Sequence, residues 1–346
     1  MQSSTTNRYP ESHSPRLPRG PWLMVVGMHR SGTSAVTGGL GALGFGTPHP
    51  DDRMDENESN PDHWESVSIN RFDERLLALL GGSWEAPPDL PANWENATAL
   101  HQVSDFGSVV TVAYRDPGPL VWKDPRLCLV LPYWRRVLPP PLAAVLVWRS
   151  PLAVARSLHR RDGMHLADGV ALWERYNRCA LEHLVGVDTY VCRYETVLDD
   201  PRGEFTRVAD WLSSLPQFSP HASQWQLEPA IATIAGGADR TPEVDPDPDD
   251  ELLLAQHREL ITRLSALGGG HQSLGPTPLM SESSWTTALI AARRGNRTRE
   301  LDRLESERNS LEAELKEKQR ALEQLYGSTI WRISKPLRSL ASLIRS

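Results

Sequence analysis

The chain has 346 residues, 39% of them hydrophobic, and a formal net charge of −7. That length suffices for one sizeable α/β domain with accessories, and the acidic balance argues against a general nucleic-acid binder. The three cysteines, Cys128, Cys179 and Cys192, show neither metal-ligand spacing nor a disulfide framework, so a reducing, cytoplasmic setting without a bound metal is expected. Residues 1–20 are polar, carry prolines and lack an apolar stretch, so they read as a disordered tail and not as a signal peptide. No uninterrupted apolar run reaches the roughly eighteen residues of a membrane span.

The first element is the short apolar run Trp22-Leu23-Met24-Val25-Val26, which reads as a buried strand. Gly27 ends it, Met28-His29-Arg30-Ser31-Gly32-Thr33-Ser34 follows, and Ala35–Leu43 can be helical. Strand, Gly-bounded polar loop and helix form the order a phosphate cradle needs, because backbone N–H groups and the positive end of the helix converge on an anion. The loop nearly fits the triphosphate pattern G-x-x-x-x-G-K-[ST], with Gly27, Gly32 and Ser34 in place. Thr33 stands where that pattern has lysine, and the positive charge lies inside the loop at Arg30. Such a loop can hold a terminal phosphate but is poorly equipped for metal-assisted phosphoryl transfer.

Phe45 to Asp62 is rich in Pro, Asp, Asn and Glu and reads as a loop. Ile69, Phe72, Leu76, Leu79 and Leu80 share one face of a predicted helix over Ser66–Leu80, stopped by Gly81-Gly82. Trp84–Asn96 is an irregular connection, and Leu100–Tyr114 is ambiguous between helix and strand. Leu120-Val121-Trp122 is a short strand ending in Lys123-Asp124-Pro125-Arg126. Ala143–Trp148 is a second buried strand of the continuous apolar kind that parallel sheets use. After it, Ser150 can cap and Pro151 can open a helix running to about Arg160. A longer helix covers Ala167–Val185, and Thr189–Arg193 is another strand. Tyr194-Glu195 opens a loop, and Arg202–Leu212 is helical. Strands alternating with helices predict an α/β fold, a P-loop-like open parallel sheet flanked by helices. Thr241–Glu251 is an acidic bridge, and a helix over Leu252–Leu267 closes a domain spanning 21–267.

Residues 268–299, beginning with Gly268-Gly269-Gly270, are expected to be a linker, flexible up to Pro278. Leu301, Leu304, Leu311, Leu315, Leu322 and Leu325 then follow a heptad spacing over 300–325, with Arg308 and Lys318 in the seam positions between them. Two readings stand: a homo-oligomeric coiled coil through Leu301–Leu325, or an amphipathic helix packed on its own core. Residues 326–346 mix Trp331, Ile333, Leu337, Leu340, Leu343 and Ile344 with basic residues. A basic amphipathic tail of this kind, Tyr326–Ser346, can lie peripherally on the inner membrane face or dock on a partner.

Three stretches carry a family resemblance. Gly27-Met28-His29-Arg30-Ser31-Gly32-Thr33-Ser34 resembles the 5′-phosphosulfate loop of sulfotransferases, in the R-S-G-T-[ST] form of the carbohydrate- and tyrosylprotein-sulfating branch. Val145 to Leu158, a strand ending in Arg149 and a helix carrying Ser157, resembles their 3′-phosphate site. Tyr194-Glu195-Thr196-Val197-Leu198-Asp199-Asp200-Pro201 resembles their Y-E-x-L…D-P signature. A guanidinium grips phosphate through a bidentate fork. An arginine and a serine beside a 5′-phosphate loop therefore suit 3′-phosphoadenosine-5′-phosphosulfate (PAPS) better than an ordinary adenine nucleotide.

The resemblance implies roles. Arg30, Ser31, Gly32, Thr33 and Ser34 would hold the 5′-phosphate, with Arg30 also meeting charge on the leaving oxygen, and Arg149 and Ser157 would hold the 3′-phosphate. Asn60-Pro61-Asp62-His63-Trp64-Glu65 loosely resembles the stretch that follows the loop in bacterial members. Glu65 is the expected general base with His63 in reserve, and Lys123 is expected to touch the sulfonate or acceptor, or to pair with Asp124. The implied acceptor is a hydroxyl of a sugar or glycoconjugate. The alternatives are a P-loop kinase-like phosphotransferase and a non-catalytic assembly factor of a polysaccharide-synthesis system.

Overall fold

A computed structural model describes residues 17–327, except 19, 55–63, 99, 101–102, 104, 116 and 237–250; His63 and the tail 328–346 lie outside it. The strands are β1 (Trp22–Val26), β2 (Leu120–Lys123), β3 (Leu142–Trp148), β4 (Asp188–Arg193) and β5 (Gly269–His271). The helices are α1 (Thr33–Leu43), α2 (Val67–Leu79), α3 (Phe106–Ala113), α4 (Leu127–Val137), α5 (Pro151–Asp162), α6 (Leu166–His183), α7 (Tyr194–Asp199), α8 (Pro201–Ser214), α9 (Leu227–Gly236), α10 (Ala255–Ala266) and α11 (Ser284–Gly327). The chain thus has the expected α/β architecture with a long C-terminal helix.

The sheet runs β2-β1-β3-β4-β5, parallel throughout except for the antiparallel β4–β5 pair. Alternation along the strands sends their side chains into two cores. Trp22, Met24, Val26, Trp122, Leu146 and Trp148 face a core shared with α2, α4 and α6. Leu23, Val25, Val121, Val145, Val147 and Tyr190 face a core shared with α1, α8 and α9. A strand buried on both faces must be apolar at every position, which is why β1 and β3 are legible as unbroken runs. From β1 the chain goes to β2 on one side and then to β3 on the other. The strand order therefore reverses between β1 and β3, and in open α/β sheets ligands bind in the crevice at the carboxyl ends of such a pair.

Several expectations change. The Gly268–Pro278 stretch is not a break: Gly269–His271 pairs with Thr189–Val191 as an edge strand, so the 268–299 segment holds β5 and the start of α11. Tyr194-Glu195 opens the short helix α7 and not a loop. The ambiguous Leu100–Tyr114 contains α3. α4, over a stretch to which the sequence analysis assigns no element, carries Pro132 in its interior, where proline ordinarily breaks a helix. Proline has no N–H for the carbonyl four residues back, Cys128 O, and the His183 ring donates to that oxygen from Nδ1 at 2.9 Å. The helix survives because a neighbour replaces the missing donor.

By contact the chain divides at Ala291, residues 292–346 forming a second unit. α11 begins before that division, at Ser284, and is continuous through Gly327; on it Leu301, Leu304, Leu311, Leu315 and Leu322 are exposed. Among the described residues no helix is long and apolar enough to cross a membrane.

Candidate functional site

The loop between β1 and α1 is bent by two left-handed residues, Arg30 at φ 67° and Gly32 at φ 87°. A side chain at 32 is excluded twice, by that φ and by Tyr194, whose ring would lie 2.0 Å from an added Cβ. Gly27 is held as tightly, since a Cβ there would stand 2.3 Å from Val147 O and 2.7 Å from the Thr33 methyl. The loop therefore lies directly against the ends of β3 and β4. Arg30 lacks glycine's freedom, and a left-handed non-glycine residue costs about 1–2 kcal/mol. Strain of this kind collects at functional sites.

That conformation aims the Arg30 side chain across the crevice, where its Nε donates to Ser157 Oγ at 2.8 Å. Arg149, at the end of β3, donates from its guanidinium to the Arg30 carbonyl at 3.4 Å. Its Cζ sits 5.3 Å from the centre of the Tyr194 ring, a cation–π contact. Two arginines separated by 119 positions are thus neighbours at the reversal point, with the serine expected beside them. Glu195 locks this edge by accepting from Ser150 N at 3.0 Å and from Arg193 Nε at 3.1 Å. The Y-E pair has a physical job here: the ring supports one arginine and walls the loop, and the carboxylate ties the ends of β3 and β4.

A second group forms on the other side of the α1 N-terminus. Lys123, at the end of β2, donates from Nζ to Ser34 Oγ at 3.1 Å and pairs with Glu65 Oε1. Both ends of that ion pair are buried, and Asn70 Nδ2 reaches Glu65 Oε2 at 3.4 Å. The alternative pairing of Lys123 with Asp124 is not the one observed: Asp124 accepts from the Arg126 guanidinium at 3.2 Å and from Arg126 N at 2.8 Å. Burial nonetheless pushes the Asp124 carboxyl up from its usual range, against the pull of Arg126.

Of the expected phosphate ligands, Ser31 changes part. Its N–H donates within the loop to Met28 O at 3.1 Å, which leaves its hydroxyl as the available group; Ser31 Oγ is buried without a hydrogen-bond partner. The first turn of α1 supplies the N–H groups that a helix leaves unbonded at its start. Ser150 also changes part. It stands at the N-cap of α5 but makes no capping bond, and its buried Oγ is likewise unpartnered. Glu65, the expected base, is engaged by Lys123, and His63, its reserve, lies outside the described residues.

His29 escaped the sequence reading. It is buried in the loop with its Nε2 unpartnered, and its ring lies 4.4 Å from the Trp84 ring. Burial first, and then Arg126, Arg161, Lys123 and Arg30, hold its pKa well below 6.5. It is a neutral imidazole among cations. Its position between Met28 and Arg30 was the available signal, but the covering Trp84 comes from the irregular connection, which periodicity does not resolve.

Among the described residues no group of three or more His, Cys, Asp or Glu is placed to hold a metal ion. The residues present fit a nucleotide with phosphates at two places: a cradle that any Cβ would fill, two unpartnered buried hydroxyls, the Arg149 guanidinium against the Arg30 carbonyl and the Arg30 guanidinium on Ser157. No family model and no curated protein matches the chain. Solved structures similar to it include two sulfotransferase domains. The sulfotransferase domain from the Synechococcus PCC 7002 olefin synthase is 16% identical at a TM-score of 0.36, over 80% of this chain and 95% of that one. The sulfotransferase domain from the curacin biosynthetic pathway is 11% identical at a TM-score of 0.38, over 80% of this chain and 98% of that one. At those TM-scores the two domains add nothing to what the sheet and the loop already show.

Proposed function

We propose that the chain is a sulfotransferase that moves a sulfuryl group from PAPS to a hydroxyl, that of a sugar or glycoconjugate. The observation that carries the reading is the meeting of Arg30 with Arg149 and Ser157 in one crevice at the ends of β1 and β3. PAPS differs from other adenine nucleotides by a phosphate at each side of the ribose, and in this reading Arg30 would take the one and Arg149 the other. The sugar half of the proposal rests on the R-S-G-T-S form of the loop.

Bound PAPS would supply an activated sulfur joined to the 5′-phosphate. In the transfer the acceptor oxygen bonds to sulfur, the bond from sulfur to the 5′-phosphate oxygen breaks, and that oxygen keeps the electron pair. Arg30, half-buried in the crevice, would neutralise the charge arriving there, where such a contact is worth more than in water. Glu65 would take the acceptor proton, with Lys123 steering the carboxylate and the developing charge. Lys123 also bears on the kinase alternative. Its ammonium sits on Ser34 Oγ, the hydroxyl that would hold Mg²⁺ in a triphosphate loop, so a cation of the chain's own already occupies that position.

Calorimetric titration tests the reading. Adenosine 3′,5′-bisphosphate should bind more tightly than ADP or Mg-ATP, and Arg149→Ala should erase that preference while leaving ADP binding nearly unchanged. Tighter binding of Mg-ATP would replace the reading with a phosphotransferase. Bisphosphate binding without transfer from labelled PAPS to any of a panel of sugar and non-sugar hydroxyls would leave a nucleotide-binding assembly factor.

A further inference from the structure

The heptad face of α11 raises a question that leucine spacing alone does not answer: which helix covers it. Leu301 and Leu304 are each 53% exposed, Leu311 59%, Leu315 57% and Leu322 50%, an apolar stripe of the width of a two-stranded seam. Leu304, Leu311 and Leu315 line a shallow groove with Glu307, Arg308 and Glu312. In this register Glu300, Glu307 and Glu314 flank the seam on one side, and Glu305 and Glu312 flank it on the other. Flank positions are the ones that pair across a two-helix interface and choose the partner.

A second copy of this chain fits badly in either direction. In parallel register Glu300 faces Glu305 of the second copy, and Glu307 faces its Glu312. In the antiparallel register that matches leucine to leucine, Arg308 shares a layer with Lys318 of the second copy. Both seam cations are already drawn to their own helix's flank, Arg308 to Glu305 at 3.2 Å and to Glu312 at 3.8 Å, and Lys318 to Glu314 at 2.6 Å. The flank glutamates Glu300 and Glu307 lie outside these three pairs.

We propose that this face is a docking surface for a different helix, one with a leucine heptad, Lys or Arg along its flanks and acidic residues at the two layers facing Arg308 and Lys318. Such a partner meets each glutamate with a cation and each seam cation with a carboxylate. It is a third reading beside the homo-oligomeric coiled coil and the helix packed on its own core. The proposal is independent of the sulfotransferase reading, since it uses only residues of α11.

The test uses the full chain. Sedimentation equilibrium at about 20 μM should show a monomer, because repelling flanks oppose self-association. A synthetic leucine-heptad peptide with lysine flanks and glutamate at the two seam layers should bind at least about tenfold more tightly than the same peptide with glutamate flanks, a difference that shrinks as salt screens it. Leu311→Asp with Leu315→Asp, both on exposed positions, should abolish that binding. Glu305→Lys with Glu312→Lys should turn the monomer into a parallel dimer, since each flank then meets its opposite. A native dimer that the Asp substitutions dissolve, or equal affinity for the two peptides, would overturn the proposal.

Discussion

Arg30 reaches Ser157 across 127 positions of sequence, its Nε donating to the serine Oγ at 2.8 Å. That bond joins the loop after β1 to the helix after β3, so the two phosphate grips of the proposed donor are set relative to one another before it binds. A hydrogen bond to a charged group is worth about 1.5–3 kcal/mol. Ser157→Ala should therefore weaken adenosine 3′,5′-bisphosphate by about tenfold or more, measured by calorimetry, with little change in thermal unfolding. An unchanged affinity would show that the pair does not organise the site.

Gly32→Ala combines a left-handed backbone with a Cβ aimed into the Tyr194 ring. The expected cost is about 2–4 kcal/mol of stability, read from urea unfolding. Tyr194→Ala in the same chain should recover the steric part and leave the backbone part.

Lys123 and Glu65 form a buried ion pair, and removing one partner strands the other's charge. Glu65→Leu and Lys123→Met should each cost about 3–5 kcal/mol, while the double replacement should come back close to the parent. Neither the singles nor the double should transfer sulfate from labelled PAPS. A stable double variant with intact turnover would remove both residues from the proposed chemistry.

The acid side of the stability curve should be steep. Burial holds His29 well below 6.5, and it holds His183 down at about 4 despite the bond to Cys128 O. Both rings take up protons more readily in the unfolded chain, so stability falls as pH drops below 6.5, through about 4 for His183. Glu174 extends the decline. Burial pulls its carboxyl up, but donors on His257, Thr286 and Ser283 outweigh that and hold it at about 2 against 4.5, so its contribution is lost as pH falls from 4.5 towards 2. Urea midpoints from pH 7 to pH 3 check this, and His183→Gln should flatten the segment between 6.5 and 4.

Much of this arrangement was legible. β1 and β3 are apolar at every position because both faces are covered, and α2 begins where Ser66 accepts from Ile69 N. The two arginines were legible because each follows a strand that ends at the reversal point. What was not legible depends on distant partners. α4 is hidden by Pro132 until His183 is seen to supply the missing donor. β5 is hidden because three glycines have no strand preference; Gly270 is there because a Cβ would stand 2.1 Å from the Trp211 ring. The Lys123–Glu65 pair spans 58 positions, and nothing in either neighbourhood announces the other.

β5 has a consequence for the molecule's behaviour in concentrated solution. A parallel sheet ends in strands whose outward amides and carbonyls invite another chain to add on. Here β5 covers β4 with a ribbon of glycines, and on the opposite margin Gly46 bridges to Leu120 beside β2. Both margins are closed by backbone too short and too bare of side chains to propagate a ladder. Replacing Gly270 with a bulky residue would drive it into the Trp211 ring, pry this cover loose and leave β4 as an open edge for another chain to add to.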